Sequence, residues 1–303
     1  MRKLALVLLL IGATNFVLAQ GCSDAGFCTL GSLGPQHQKT KKQQITLSFQ
    51  NGVGDENVFV FTPSIKYDNK INDHWQIQAK LTANYANGNL GSITGLGDVF
   101  LNTTYTFNTK KEWQSSIILG AKIPLNTSNL KVDGRSLPMQ YQSSLGTLDA
   151  ILGYSISNSI WQFATALQLP LTGHNNNQFL PIYFGTTAAS KYPPTNDFVR
   201  RADVLLRANY QIKHSKKAQY HVGVLGIYHL GKDTYIDASV SNKPIAINGS
   251  DGLTLNLTGA ASFKLNQKLN LGFLAGSPIV VRDIRPDGLT RSFSISADLI
   301  FNF

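Results

Sequence analysis

Charged residues are scarce in this chain. Asp, Glu, Lys and Arg make up only 15% of its 303 residues, against roughly 25% in an ordinary soluble protein. Basic residues outnumber acidic ones by 27 to 17, but they are scattered and form no patch interleaved with aromatic side chains. We therefore expect no nucleic-acid partner. Long helices are not expected either, because Asn, Thr, Gly and β-branched residues recur throughout the interior segments.

Long apolar runs are also missing. The longest, Leu4–Ala19, falls short of the ~20 apolar residues with which a helix spans a bilayer. It follows Arg2 and Lys3 and ends in the small-residue pattern Val17–Ala19. These features predict a secretory signal peptide over residues 1–19, which is cleaved when the chain is exported.

Cysteine is limited to Cys22 and Cys28. In an exported segment rich in Gly and Ser, an oxidising compartment favours a local disulfide between these two residues. Two thiols without a nearby His or a further Cys make a poor zinc site. Lipidation of Cys22 is the alternative, although Ala19–Gly21 do not match the small-residue pattern that directly precedes a lipidated cysteine.

The sequence is rich in period-2 alternation, the pattern of a strand with one apolar face. We identify twelve such segments between residue 44 and the C-terminus, an even number, as bacterial single-chain barrels require. The last one places on one face Phe293, Ile295, Ala297, Leu299, Phe301 and Phe303. The alternation predicts an all-β fold, and the soluble alternative is a sandwich with one buried face on each strand.

Charged residues within these segments fall on the face opposite to the apolar one, except for Arg291, which lies at a rim. In a membrane barrel this face lines the lumen, because a charge at the lipid midplane costs about 2–4 kcal/mol. The candidate lumen-lining residues are Lys66, Lys80, Asp98, Lys122, Asp149, Arg201, Asp203, Arg207, Lys264 and Asp298. A sandwich would show the same parity, so this observation alone does not separate the two folds.

Connection lengths favour the membrane barrel. Every second connection is a short turn, over residues 68–73, 108–112, 157–159, 213–217 and 266–267. The alternate connections are mostly long, over 86–94, 126–144, 173–197, 231–251 and 277–290, and only 51–55 is short. Short turns at one end and long loops at the other are typical of the periplasmic and extracellular ends of an outer-membrane barrel. Trp75, Trp113 and Trp161 all start strands at the turn end, where an interfacial aromatic belt is expected.

We therefore predict a transmembrane antiparallel up-and-down β-barrel of about 12 strands, with short periplasmic turns and long extracellular loops. The barrel would span residues 44–303, after the signal peptide over 1–19 and an N-terminal periplasmic or plug segment over 20–43. The expected location is the outer membrane of a Gram-negative cell. The expected partners are outer-membrane lipid and the barrel-assembly machinery, which would contact the C-terminal strand.

Two stretches resemble a known family. They are Gly95–Phe107, which begins Gly-Leu-Gly-Asp, and the terminal Leu299–Phe303. The first is similar to a strand of outer-membrane transporters named for a phenol-degradation pathway, which are similar in type to the long-chain fatty-acid channel. The resemblance implies a barrel that passes small molecules, apolar or aromatic ones among them. It carries no binding residue over to this chain.

The interior suggests two functional features. Arg201, Asp203 and Arg207 could form a constriction that favours anions, and the alternative is a structural ladder of ion pairs, since buried charges normally pair. The longest loop contains an apolar run with the gate candidates Phe179, Leu180, Ile182, Tyr183 and Phe184. Such a run could gate an apolar substrate, or it could only plug the barrel.

Catalysis is not expected. None of the six histidines stands beside an outward-facing Ser, so a serine nucleophile would lack its base. There is no G-x-S-x-G sequence and no phosphate-binding loop, and we expect no metal and no cofactor. The sequence favours a channel for passive uptake of small molecules, and the alternative is a structural or surface-exposed barrel without a conducting pore.

Overall fold

The computed structural model describes residues 33, 42–107, 112–215, 217–288 and 291–303. The predicted signal peptide and the Cys22–Cys28 disulfide lie outside the described residues. The described residues form one closed antiparallel barrel of twelve strands, so the predicted fold class and strand number are confirmed.

Sixteen strands are present in the described chain, and twelve of them form the barrel. The barrel strands are β1 (Gln43–Gly54), β2 (Phe59–Lys70), β3 (Trp75–Gly88), β4 (Gly91–Thr106), β5 (Gln114–Pro124), β8 (Asp149–Ser157), β9 (Trp161–Pro170), β10 (Asp203–His214), β11 (Ala218–His229), β14 (Gly252–Lys264), β15 (Leu269–Val280) and β16 (Arg291–Asn302). Two small hairpins lie in the loops, β6 (Lys131–Val132) with β7 (Arg135–Ser136) and β12 (Thr234–Asp237) with β13 (Ser241–Ala246). Short helical turns occur at Asp55–Asn57, Met139–Tyr141, Pro181–Phe184 and Ala189–Lys191.

The first and last strands close the barrel. β1 pairs with β16 along almost its whole length, with Leu47 opposite Leu299 and Phe49 opposite Ala297. Closure leaves neither strand with an unpaired edge, and it satisfies the backbone hydrogen bonds that lipid cannot. The terminal strand singled out by its alternation is therefore the strand on which closure depends.

The outer wall is apolar. In β8, for example, Leu152 and Tyr154 are exposed, whereas their neighbours Ile151 and Ser155 are buried. The same alternation runs through the other barrel strands, so the large exposed side chains around the wall are almost all aliphatic or aromatic. A surface of this kind requires lipid around it. No helix among the described residues is long and apolar enough to cross a membrane.

The two ends of the barrel differ in their connections. At the turn end the strands are joined by residues 71–74, 107–113, 158–160, 215–217 and 265–268. At the loop end they are joined by 55–58, 89–90, 125–148, 171–202, 230–251 and 281–290. The prediction of a long loop over 86–94 is wrong, because β3 ends at Gly88 and β4 begins at Gly91. β3 and β4 continue beyond the wall as a tight hairpin, in which Gly91 adopts a φ of +121° that favours glycine.

Aromatic side chains gather on the outside of the turn end. Trp75 lies 4.8 Å from Tyr105 between ring centroids, and Trp161 lies 4.8 Å from Tyr210. Trp113 stacks 6.4 Å from Phe163. These rings are exposed on the wall, apart from the half-buried Tyr105, at the level where a membrane barrel meets the lipid headgroups.

Candidate functional site

The candidate site is the lumen of the barrel together with the loops that cover it. One of its fully buried ion pairs joins two of the predicted lumen residues. Lys122 Nζ lies 3.1 Å from Asp149 Oδ2, and the two residues face each other in the register of β5 and β8. Lys122 also donates to Thr147 Oγ1 at 3.0 Å, and Gln168 donates to Asp149. The charge pair is therefore fully enclosed by hydrogen-bonding partners.

The remaining predicted lysines lie on β2, β3 and β14. Lys66 Nζ lies 3.2 Å from Asp68 Oδ2, and this carboxylate also accepts a hydrogen bond from Gln78 at 2.7 Å. Lys80 lies 6.0 Å from the centroid of the Phe100 ring, within reach of a cation–π contact. Lys264 and Asp298 are half-buried on the inner faces of β14 and β16. Asp98 is buried and accepts a hydrogen bond from Ser144 Oγ in the 125–148 loop.

A second charged cluster lies where β10 and β11 reach the loop end. Arg200 donates to Asp203, and its Nε lies 3.3 Å from Asp287 Oδ2. Arg282 Nη2 lies 2.9 Å from the same Asp287 oxygen. The cluster thus ties the 171–202 loop and the 281–290 loop to the wall. The side chain of the predicted residue Arg201 is exposed and lies outside this cluster, because the chain is not in a regular strand before Asp203 and the alternation does not hold there.

His229 completes this cluster. Its Nδ1 lies 2.6 Å from Asp203 Oδ1, and its Nε2 lies 2.8 Å from Asp233 Oδ1. When the ring carries both protons, three carboxylates face two guanidinium groups and one imidazolium, so the charges balance. Burial alone would raise the pKa of Asp287, but Arg282 and Arg200 hold it well below its usual range. Of the predicted set Arg201, Asp203 and Arg207, this cluster contains Asp203, which is engaged by Arg200 and His229.

An apolar band crosses one side of the lumen. It consists of buried side chains that pack in one cluster on six neighbouring strands, β4, β5, β8, β9, β10 and β11, namely Phe100, Ile118, Ile151, Ala164, Ala166, Leu205 and Leu225. On β4 and β10, polar side chains return two positions away on either side: Asp98 and Asn102 flank Phe100, and Asp203 and Arg207 flank Leu205. This band was not predicted from the sequence, because the strands were identified by the apolar residues that face outward. Large aliphatic residues at inward positions of adjacent strands are the signal that could have found it.

Leu33 lies inside the barrel against this band. Its side chain is fully buried and belongs to the same cluster, and its carbonyl oxygen accepts a hydrogen bond from Arg207 Nη1. Gly153 makes room for it, since a Cβ at that position would lie 3.1 Å from Leu33 Cδ2. Leu33 is the one described residue of the segment 20–41, and it comes from a part of the chain remote from the strands that it contacts.

The loops pack over the loop end around an apolar cluster of their own, which we call the loop core. Its aromatic members are Tyr141, Phe179, Phe184 and Tyr192. Of the gate candidates, Phe179, Leu180 and Phe184 are buried in or beside this core, whereas Ile182 and Tyr183 are 74% and 65% exposed. Phe179 and Tyr192 meet edge to face at 6.4 Å. The run therefore divides into an inward-packed half and a half that faces solvent.

The loops that pack over the loop end of the barrel form what we call the loop cover. One cavity lies beneath the loop cover and another lies outside it. The inner one, about 70 Å³, lies under the 125–148 and 281–290 loops and is lined by both polar side chains and Phe100. It is large enough for only a few water molecules. The outer one, about 740 Å³, opens between the loops and is lined by residues that include Asp55, Tyr192, Tyr235 and Arg285. We call the outer cavity the vestibule.

One ion pair at the rim of the vestibule joins two loops. Arg285 of the 281–290 loop donates to Asp55 of the 55–58 connection. Burial raises the pKa of Asp55 to about 6, although Arg285 acts in the opposite direction. Burial likewise lowers the pKa of Arg285 against the attraction of Asp55. Both shifts indicate that enclosing this pair costs more than its mutual attraction returns. Among the described residues, no group of His, Cys, Asp or Glu is arranged to hold a metal ion.

Comparison with known proteins places the fold among outer-membrane barrels. No family model matches the chain, and no curated protein matches it. Among solved structures, the COG4313 outer membrane channel from Pseudomonas putida F1 has a TM-score of 0.60 at 10% identity, covering 89% of this chain and 100% of that one. The CymD monoaromatic hydrocarbon channel has a TM-score of 0.44 at 10% identity, covering 95% of each chain. The KdgM porin has a TM-score of 0.43 at 6% identity, covering 85% and 99%. The chain therefore has a barrel fold that is also found in an outer-membrane channel.

Proposed function

We propose that this protein is an outer-membrane channel for the passive uptake of small molecules, apolar or aromatic ones among them. The observation that carries the proposal is the two-sided interior: an apolar band on six adjacent strands faces a wall lined mainly by Gln, Asn, Ser, Thr and Lys. Such a lumen can contact the apolar part of a solute on one side while its polar part remains hydrated on the other.

Barrel size supports a narrow passage. Eight strands close around their own side chains, and sixteen leave an open aqueous channel. The twelve strands seen here fall between these cases, and the lumen contains Leu33 and several inward charged pairs. A narrow lumen of this kind suits permeation by small molecules one at a time, in contact with the wall.

The orientation follows from the connections. We assign the turn end to the periplasm and the loop end to the cell exterior, because short periplasmic turns and longer extracellular loops are the rule for bacterial barrels. The vestibule would then receive solutes from outside. We also propose that the apolar wall contacts outer-membrane lipid and that the barrel-assembly machinery recognises the C-terminal strand. We also propose that the chain is related to the transporters named for a phenol-degradation pathway, which Gly95–Phe107 resembles. We further propose that it has no enzymatic activity.

A structural barrel without a conducting pore is the second candidate. The packed loop core and the small inner cavity favour it, because this cavity has room for only a few water molecules. The two candidates differ in whether the loop cover opens.

Solute efflux from liposomes distinguishes the two. The full chain, purified and reconstituted, is first shown to be folded by its heat-dependent gel mobility. Vesicles are then loaded with a series of solutes that runs from glycerol to toluate and to a disaccharide. We expect efflux of the small solutes, fastest for the aromatic acid, and retention of the disaccharide. A folded barrel that retains every solute would contradict the channel and support the structural role.

A further inference from the structure

The contact between Leu33 and the lumen wall has the form of a bound ligand. An isobutyl group fills an apolar pocket formed by Ile118, Gly153 and their neighbours in the band. Beside it, one carbonyl oxygen accepts a hydrogen bond from a buried guanidinium group, that of Arg207. The wall provides both parts of this arrangement, and only the occupant comes from a remote part of the chain. We call the wall portion the Leu33 socket.

The socket is placed where a solute would meet it. Phe100 belongs to the apolar band and also lines the inner cavity beneath the loops. A molecule that passes the loop cover would therefore reach the band directly from this cavity. Deeper in the lumen the wall becomes polar again, with Asn209 donating to Gln162 at 2.7 Å. The socket is thus a local apolar site between two polar layers.

Arg207 contributes a buried guanidinium group to the socket. Asp203, four positions before Arg207 in the chain, is engaged by Arg200 and His229. Its negative charge is therefore neutralised within the loop-end cluster. A carboxylate accepts hydrogen bonds from a guanidinium group more strongly than a neutral carbonyl does. An incoming carboxylate would replace the Leu33 carbonyl with a better acceptor.

We propose that the Leu33 socket binds small carboxylic acids that carry a branched or aromatic apolar group, and that Leu33 occupies the site as an internal competitor. The apolar group takes the place of the isobutyl side chain, and the carboxylate takes the place of the Leu33 carbonyl on Arg207. The proposal deepens the proposed channel function and rests on it for the path by which the ligand arrives.

The probe follows from the occupant. 4-Methylpentanoate has the carbon skeleton of leucine without its amino group, so it reproduces both contacts of Leu33. Its neutral counterpart, 4-methylpentan-1-ol, keeps the branched group and loses the charge. Acetate keeps the charge and loses the branched group. Binding of all three to the folded full-length protein is measured by calorimetry in detergent.

We expect 4-methylpentanoate to bind better than either control compound. Leu33→Ala should bind it about tenfold more tightly than the natural chain, because the competing buried isobutyl group is removed. Gly153→Ala should weaken binding, because the new Cβ narrows the socket. Equal affinity in the natural chain and in Leu33→Ala would overturn the proposal.

The role of Arg207 has its own matched control. Arg207→Gln should abolish the preference for the acid over the alcohol, whereas Lys264→Gln removes a lumen charge from β14, outside the socket, and should leave that preference unchanged. If Arg207→Gln fails to fold, Arg207→Lys keeps the charge but not the two-pronged geometry and should reduce the preference. Equal losses in the variants at 207 and 264 would show a general charge effect and would overturn the assignment to Arg207.

The experiments distinguish a failure of the channel proposal from a failure of the socket proposal. Binding of 4-methylpentanoate without any solute efflux from liposomes would leave the socket intact and contradict the channel. Efflux of small solutes without binding of the acid would support the channel and overturn the socket.

Discussion

Lys122 and Asp149 form an ion pair that is 3.1 Å long and almost completely buried inside the barrel, with 2% and 0% of their side chains exposed. Removing one partner of such a pair leaves an unpaired charge, whereas removing both does not. The pair therefore makes the cost of burying charge in the lumen directly measurable.

Lys122→Met should destabilise the folded barrel by about 3–5 kcal/mol, because Asp149 keeps its buried charge without its partner. The double variant Lys122→Met with Asp149→Leu should recover most of that loss. The free energy of unfolding is measured in urea, with folded and unfolded forms separated by gel mobility. A double variant as unstable as the single one would show that packing, and not charge, sets the cost.

The assignment of alternate strand residues to the lipid-facing side can be tested by introducing a single charged residue there. Leu152→Lys places an ammonium group on the lipid-facing wall of β8, and it should lower the free energy of unfolding by about 2–4 kcal/mol if this level lies near the bilayer midplane. Ser48→Lys is the matched control, because Ser48 lies on the lumen side of β1 and is paired with Asp298 of β16. The measurement is unfolding in lipid vesicles. Equal effects at both positions would contradict the assignment of inner and outer faces.

The loop core should control access to the lumen. Phe179→Ala removes a ring that is buried among Phe184 and Tyr192, and a buried Phe→Ala change typically costs about 3–5 kcal/mol. Because this cost falls on the loop cover, we expect longer channel openings and faster proteolysis of the loops. Ile182→Ala, in the same run but exposed, is the control and should change neither. Removing residues 178–186 without any change in conductance would exclude a gating role for the run.

The Asp55–Arg285 pair predicts a pH dependence of the loop cover. The pKa of Asp55 is about 6 in the closed loops and close to its ordinary value of about 3.9 when the loops open. Protonated Asp55 therefore favours the closed form, and this contribution is complete below about pH 4 and is lost as the pH rises through about 6.

Asp55→Asn isolates this contribution. The rate of loop proteolysis in the natural chain should rise between pH 4 and pH 7 by more than it does in Asp55→Asn, which does not titrate at this position. A protease whose activity is calibrated at each pH on an unfolded substrate supplies the correction. Identical pH profiles for the two proteins would rule out Asp55 as the titrating group.

Strand positions and inward or outward parity could be predicted from the sequence because lipid imposes a strict rule on every second residue. Leu152 and Tyr154 must be apolar if they face lipid, so the alternation reports the barrel wall directly. The same rule failed for Arg201, because residues before Asp203 are not in a regular strand and Arg200 takes the buried position instead.

The lumen was less predictable because its contacts are long-range. Arg200 meets Asp287 across 87 positions of sequence, and Arg207 meets Leu33 across 174. Nothing in the local pattern indicates such partners. The hairpin at 89–90 was not predicted for a different reason. The ends of β3 and β4 extend beyond the membrane, so their residues contact the loops, as Gly88 contacts Tyr141, and not lipid.

Ion current through single molecules in a planar bilayer tests the central claim most directly. The full-length folded protein should show brief openings of small conductance, and both Leu33→Ala and the 178–186 deletion should increase the time spent open. A bilayer that contains the folded protein and stays silent, for the natural chain and for both variants, would contradict the channel.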